Sequence, residues 1–184
     1  TGSPAAMRPW AEYLNARGYS VRVPLLPGHG TKPADLNEVA WPAWPAKVTA
    51  EINELDKHCS QIFVAGLSMG GGGTFMYALH HPELFSSSAP LSAYAGPLTI
   101  EDFKRNLSRN GEVNYSDEQL EGYFKNHNAV ELIKSLPIEK LSSVRWYIDC
   151  GDDDFLFEGN SLVHIEMKKK EIAHEYRVRD GAHN

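Results

Sequence analysis

The residues best suited to chemistry stand in the segment Gly66–Gly70, where Ser68 is the centre of a G-x-S-x-G pattern. A serine hydroxyl is a weak nucleophile, and a strained turn beside a general base makes it reactive. An apolar run at 61–65 precedes the turn, and a helical pattern follows it. We therefore predict that Ser68 is a nucleophile on a strand-to-helix turn and that the backbone N–H of Met69 donates to an oxyanion. Both flanking glycines are expected to avoid collisions with the neighbouring strand or helix.

A base that could activate Ser68 is expected late in the chain, because the acid and then the histidine follow the serine in proteins with such a turn. His183 comes just after the last predicted strand, and it is the predicted base. The other histidines are less suitable as the base, since six lie on predicted helices or at their ends, where structural roles are commoner, and His29 lies in a loop that could border the pocket. They are His29, His58, His80, His81, His127, His164 and His174.

The acid that orients His183 should follow the penultimate predicted strand. Three aspartates stand there, at 152–154, and their residue type alone leaves the choice among them open. Two of the three are expected to be solvated loop residues that also cap the next helix. We favour Asp154 as the acid, with Asp153 as the second choice and Glu158 as a weaker candidate.

Asp154 is favoured because of its neighbours on the C-terminal side. Phe155 and Leu156 are apolar, and we expect them to pack beneath the loop and anchor it. An extended loop would place Asp152 and Asp154 on one side and Asp153 on the other. Asp154 is nearest to the apolar anchor and should therefore be the least solvated of the three.

Strands alternate with helices along the chain, which predicts an α/β fold with a mostly parallel sheet and helices on both faces. The stretch 97–137 is polar and helix-prone, and we expect it to be a helical cap inserted over the site. Residues 1–184 are otherwise expected to form one domain. The predicted strands are 19–23, 61–65, 86–93, 144–150 and 174–179; the predicted helices are one that becomes regular at Pro9 and stops at Gly18, then 44–58, 70–80 and 158–170.

The composition argues against several classes of partner. The 184 residues carry a formal net charge of −6, so there is no basic footprint for nucleic acid. No apolar stretch is long enough to cross a bilayer, and no metal-ligand spacing or phosphate-binding loop is present. We expect a small-molecule substrate, no nucleic-acid partner, no membrane span, no cofactor and no metal. Cys59 and Cys150 are expected to be free thiols. The oligomeric state is open, and a cytoplasmic location is favoured over secretion.

Two branches of the α/β-hydrolase carboxylesterases are visible in these motifs. Residues from about 61 onward resemble the esterase D group, which includes acetyl, tributyrin and feruloyl esterases and S-formylglutathione hydrolases. Residues 1 to 60 resemble bacterial monoacylglycerol lipases and related carboxylesterases. The first likeness is carried by 66–71, 90–94, 150–156 and 179–184, and the second by 1–3, 17–19, 27–30, Trp41 and Trp44.

The resemblance implies an α/β-hydrolase fold and hydrolysis of carboxylic esters through an acyl-enzyme on Ser68, with His183 as base and Asp154 as acid. It favours short-chain or hydroxycinnamoyl esters as substrates. A thioesterase of the S-formylglutathione type, an acyltransferase and a non-catalytic ligand-binding protein are the alternatives. The family pattern also places the first strands, a second oxyanion-hole loop and a closing helix outside the 184 residues, so we expect the domain to be incomplete at both ends.

Overall fold

The computed structural model describes residues 4–40, 42–109 and 115–183. The chain divides into two compact units, Thr1–Ile62 and Phe63–Asn184. The residues singled out above as nucleophile, base and acid all lie in the second unit. Among the described residues, no helix is both long enough and apolar enough to cross a membrane.

The first unit contains helix α1 (Pro4–Asn15), a 3₁₀ helix (Pro33–Glu38) and helix α2 (Ala43–Asp56). Helix α1 runs through Pro9, so the prediction that it becomes regular only at that residue is wrong. A proline inside a helix removes one backbone hydrogen bond, and here the helix continues on both sides of the gap.

The predicted strand at 19–23 is absent, because residues 19–26 form neither strand nor helix. Tyr19, Val21 and Val23 alternate as strand residues do, but a strand also needs a hydrogen-bonded neighbour. No other strand is formed by the described residues of this unit. Alternation of side chains is therefore not enough to predict a strand, because it says nothing about pairing with a neighbouring strand.

A parallel sheet of four strands organises the second unit, in the order β1-β2-β3-β4. This confirms the predicted α/β class. The strands are β1 (Phe63–Leu67), β2 (Ser87–Leu91), β3 (Arg145–Gly151) and β4 (His174–Arg179). The helices are α3 (Met69–His80), α4 (Ile100–Arg109), α5 (Asp117–Asn126), α6 (Ala129–Ser135), α7 (Ile138–Ser142) and α8 (Phe157–Lys169).

The core of this unit lies where helices α3 and α8 pack against the sheet and α6 packs against those two helices. Trp146 on β3 is 1% exposed, and its indole N–H donates to the carbonyl O of Leu141 at 2.8 Å. Phe75 of α3 lies beside it, with ring centroids 6.5 Å apart. Burial of each such large apolar side chain stabilises the fold by about 1.5–3 kcal/mol.

The predicted cap, 97–137, contains two kinds of helix. Helix α5 buries none of its residues, whereas α6 buries Ala129, Val130, Leu132 and Ile133 and packs against α8 and α3. Residues 129–135 therefore contribute to the core beside the sheet. A cap formed by α4 and α5 stays a prediction.

The sheet brings the predicted nucleophile, acid and base to the same end of its strands. In parallel strands the carboxyl ends point the same way, and loops that follow them meet at that end. Ser68 follows β1, residues 152–154 follow β3, and His183 follows β4.

Candidate active site

Ser68 occupies the turn between β1 and α3 with a backbone φ of 58° and ψ of −116°. A positive φ is uncommon for a residue with a side chain and costs about 1–3 kcal/mol. The turn is fixed because the N–H of Ser68 donates to the carbonyl O of Leu91 at 2.9 Å, and its carbonyl O accepts from the N–H of Gly72 at 3.0 Å. This is the strained strand-to-helix turn that the sequence predicted.

The glycines around this turn differ in how closely they are packed. A Cβ on Gly66 would collide with the carbonyl of Gly70 and would lie 2.9 Å from Thr74 Oγ1. A Cβ on Gly70 would have no described atom within 4 Å, so the expectation that Gly70 avoids a collision is wrong. The crowded glycine on the helix side is Gly71, whose Cβ would lie 2.8 Å from both the Cβ of Ala93 and the carbonyl O of Leu91.

Alanine substitution should separate these two helical glycines. We expect Gly71→Ala to lower the free energy of unfolding by about 1–3 kcal/mol, because the new methyl group enters a filled space. Gly70→Ala should leave the free energy of unfolding unchanged or raise it by up to about 1 kcal/mol, since alanine favours a helix more than glycine does. Urea unfolding followed by circular dichroism measures both values, and equal losses would contradict the assignment.

His183 connects Ser68 to Asp154. Its Nε2 lies 2.7 Å from Ser68 Oγ, and its Nδ1 lies 2.9 Å from Asp154 Oδ2. A carboxylate only accepts, so Nδ1 carries the proton and Nε2 accepts from the serine hydroxyl. The structure thus brings together the three residues that the sequence selected, in an order that allows the proton of Ser68 to pass to His183.

Asp154 is the ionised member of this group. Its side chain is fully buried, and burial raises the pKa of the carboxyl. Hydrogen bonds outweigh this, from the N–H of Leu156 at 2.8 Å, from His183 and from Ser92, so that the pKa of Asp154 is lowered overall. At neutral pH a negative charge therefore lies beside Nδ1 of His183.

The alternative acids do not contact His183. Asp152 and Asp153 are both exposed, and the carboxylate of Asp152 accepts from the N–H of Gly181 at 3.1 Å. Glu158 is exposed in the first turn of α8.

Three aspartates near this loop lie close enough together to share an ion. Asp152, Asp153 and Asp180 each have an oxygen within 4.8 Å of the others. Among the described residues this is the one such cluster, and exposed acidic groups of this kind are common without an ion.

The reason given for Asp154 was wrong in one respect. Phe155 does not pack beneath the loop, because it is 76% exposed. Its ring instead lies against the imidazole of His183, with centroids 4.7 Å apart. The loop is held by polar contacts that the sequence analysis missed, including the side chain of Asn160, which donates to the carbonyl O of Leu156 at 2.9 Å.

Five of the other histidines make contacts within the fold. His80 hydrogen-bonds the carbonyl O of Asn126, and His127 hydrogen-bonds that of Tyr123. His164 and His174 are joined to each other by a hydrogen bond of 2.7 Å. In the first unit His29 is buried and packs edge-on against Trp44.

Met69 begins α3, directly after Ser68. The first N–H groups of a helix have no acceptor within the helix, and they carry the positive end of its dipole. The N–H of Met69 is therefore suited to a developing negative charge on a substrate bound at Ser68.

A cavity of about 190 Å³ lies between the segment after β2 and the start of α8. One wall includes Tyr94, whose N–H donates to the carbonyl O of Ser68 at 3.4 Å, and another includes Phe155, which touches His183. Asn106 of α4, an exposed residue, supplies a side-chain amide. The lining residues are Tyr94, Ala95, Gly96, Pro97, Leu98, Asn106, Phe155, Leu156 and Gly159.

Comparison with known proteins agrees with this architecture. This chain superposes on a structure described with LipS and LipT, two metagenome-derived lipolytic enzymes, with a TM-score of 0.67 at 24% identity. The match covers all of this chain and 81% of that one. This likeness shows the α/β-hydrolase fold. A ferulic acid esterase superposes with a TM-score of 0.50 at 31% identity, covering 65% of this chain and 43% of that one.

The sequence also has close relatives. A thermostable monoacylglycerol lipase of Bacillus sp. (strain H-257) is 44% identical over 84 residues, which are 46% of this chain and 34% of the lipase. The chain spans about a third to a half of the length of the curated relatives it matches. The predicted resemblance to monoacylglycerol lipases and feruloyl esterases is confirmed.

The family comparison covers more of the chain than the lipase does. The model of the family described as "Putative esterase" matches residues 45–184. This match includes every residue of the site described above. The chain therefore belongs to this esterase family.

Proposed function

We propose that this protein hydrolyses carboxylic esters through an acyl-enzyme formed on Ser68. The observation that carries the proposal is the continuous path from Ser68 Oγ through His183 to Asp154, with contacts of 2.7 Å and 2.9 Å. A serine with a base at hydrogen-bond distance, and a base with an orienting acid, is the arrangement that activates a hydroxyl for acyl transfer.

In the first half of the reaction, Ser68 Oγ attacks the ester carbonyl carbon while its proton passes to Nε2 of His183. Asp154 stabilises the resulting imidazolium and keeps its ring oriented. The carbonyl oxygen becomes an oxyanion, to which the N–H of Met69 donates. The bond to the alcohol then breaks, and His183 returns its proton to the departing alcohol oxygen.

Water completes the second half by the same route. It gives a proton to Nε2 of His183 and attacks the acyl carbon, and the acid product leaves as Ser68 recovers its proton. No cofactor takes part in this scheme.

A fluorophosphonate probe tests the reaction class directly. We expect the probe to attach to Ser68, identified by mass spectrometry of the labelled peptide, and p-nitrophenyl acetate to be hydrolysed at the same site. Absence of both would favour a non-catalytic ligand-binding protein. Labelling with turnover of thioesters alone, or with transfer to an added alcohol in place of hydrolysis, would favour the thioesterase or the acyltransferase.

For the substrate, we propose an ester with a short or aromatic acyl group, of which hydroxycinnamoyl esters are the fullest fit. The cavity whose lining includes Phe155, the residue that touches His183, also presents the side chains of Tyr94 and Leu98, with Asn106 as its side-chain amide. Such a lining suits a planar ring with one polar substituent. The ferulic acid esterase relative supports the same choice.

Asn106→Leu tests this assignment, because leucine keeps the size of the side chain and removes its hydrogen-bonding groups. We expect KM for methyl ferulate to rise about three- to tenfold, the worth of one neutral hydrogen bond. KM for methyl cinnamate, whose ring has no hydroxyl or methoxy substituent, should hardly change. Hydrolysis of p-nitrophenyl acetate is the control for an intact site. A parallel rise for both aromatic esters would show that Asn106 does not recognise the ring substituent.

A further inference from the structure

Asn160 is a fully buried amide in the first turns of α8, with no exposed surface. Its Nδ2 donates to the carbonyl O of Ala93 at 2.8 Å and to the carbonyl O of Leu156 at 2.9 Å. The sequence analysis did not single it out, and the reaction proposed above does not use it.

The two acceptors fix which way the amide faces. Two carbonyl oxygens need two donors, and only the NH₂ end of asparagine supplies them. Its Oδ1 is then left without a hydrogen-bond partner among the described residues. An unpartnered buried acceptor costs about 1–3 kcal/mol. The two hydrogen bonds of Nδ2 are therefore partly offset by the unpartnered oxygen, so stability alone is a weak reason for an asparagine here.

Asn160 joins two segments on which the site depends. On one side is Leu156, whose N–H donates to Asp154 Oδ1 at 2.8 Å while its carbonyl O is held by Asn160. On the other side is Ala93, which lies against Gly71 just behind the serine turn. The next residue, Tyr94, donates its N–H to the carbonyl O of Ser68.

We propose that Asn160 is a positioning residue that ties the loop bearing Asp154 to the segment behind Ser68. The tie sets the separation of acid and serine, and so keeps the carboxylate on Nδ1 of His183. Asn160 touches neither substrate nor any reacting atom. Its effect on turnover rests on the proposed ester hydrolysis, but its effect on the Asp154–His183 hydrogen bond does not.

Asn128 offers a matched control. It is also a buried asparagine, 2% exposed, and its Nδ2 donates to the carbonyl O of Pro97. Its Oδ1 caps α6 by accepting from the N–H of Glu131, and neither of these two hydrogen bonds involves the loop that bears Asp154. Asn160→Ala and Asn128→Ala therefore each remove a buried side-chain amide and two hydrogen bonds to the backbone.

The test compares these variants in two ways. In Asn160→Ala we expect kcat for p-nitrophenyl acetate to fall about 10- to 100-fold with little change in KM, as for a small misplacement of a catalytic group. We also expect the downfield proton NMR signal of His183 Nδ1–H to weaken or move upfield. Asn128→Ala should lose stability but keep both kcat and the proton signal.

An unchanged proton signal in folded Asn160→Ala, or an equal change in Asn128→Ala, would overturn the proposal. Asn160→Leu provides a second variant, because it fills the same space and removes the unpartnered oxygen along with the two donors; it should fold and show the same loss of signal. If the wild type has no esterase activity but its proton signal depends on Asn160 alone, the proposed function fails and the positioning role stands.

Discussion

Ser68→Ala should abolish hydrolysis of p-nitrophenyl acetate, with kcat reduced by up to about 10⁶-fold, as when the nucleophile of a serine hydrolase is removed. The hydroxyl oxygen forms the bond to the acyl group, and neither His183 nor Asp154 can replace it. Attachment of the fluorophosphonate probe should disappear as well. Stopped assays with the substrate in excess, together with intact-mass measurement, detect both losses.

Ser68→Gly is the companion variant to Ser68→Ala. Glycine adopts a positive φ without strain, so this variant should be as inactive as Ser68→Ala but more stable, by about 1 kcal/mol or more. Loss of activity in both with a gain in stability in one would separate the chemistry of Ser68 from its strained backbone. Unchanged labelling in Ser68→Ala would disprove the assignment of Ser68 as the nucleophile.

Asp154→Asn should lower kcat by about 10⁴-fold while leaving the fold intact, because an amide beside Nδ1 allows the wrong tautomer of His183. The neutral amide also removes the charge that stabilises the imidazolium formed during attack. The fully buried side chain makes this charge difficult for solvent to replace. The measurement is kcat for p-nitrophenyl acetate under one set of conditions.

Asp152→Asn and Asp153→Asn are the controls for Asp154→Asn, since both carboxylates are exposed in the same loop. We expect either change to affect kcat far less, because solvent screens an exposed charge. A large loss in Asp153→Asn with a small one in Asp154→Asn would show that the acid is displaced by one residue from its position in the structure.

The placement of the site could be predicted from the sequence because it depends on topology. Ser68, Asp154 and His183 each follow a strand of one parallel sheet, and the carboxyl ends of such strands share an edge. The order of the residues along the chain and the positions of three strands predicted the place of the site. The choice of Asp154 among three aspartates also needed its apolar neighbours and the family resemblance. The roles of the three residues as nucleophile, acid and base stay predictions until the variants are measured.

The details that sequence reasoning missed depend on contacts between distant segments. The pattern of Gly66 and Gly70 does not reveal that Gly71 is the crowded residue, since its neighbours come from β2 and the loop after it. Hydrophobicity placed Phe155 beneath its loop, yet the ring covers His183. Asn160 stands in the first turn of a helix that follows an acidic loop. That position could have suggested that its amide hydrogen-bonds the backbone of the loop.

The hydrogen bond between His183 and Ser68 has a consequence for how the protein acquires activity. It joins atoms 2.7 Å apart that belong to residues separated by 115 positions in the chain. Closing so long a loop is slow and entropically unfavourable until the intervening elements have folded. His183 is delivered by β4, which in the described sheet pairs with β3 alone. Refolding must therefore restore most of the helices and strands of the second unit before the contact between Ser68 and His183 can form. We expect the proposed esterase activity to return after the circular dichroism signal of the helices and sheet.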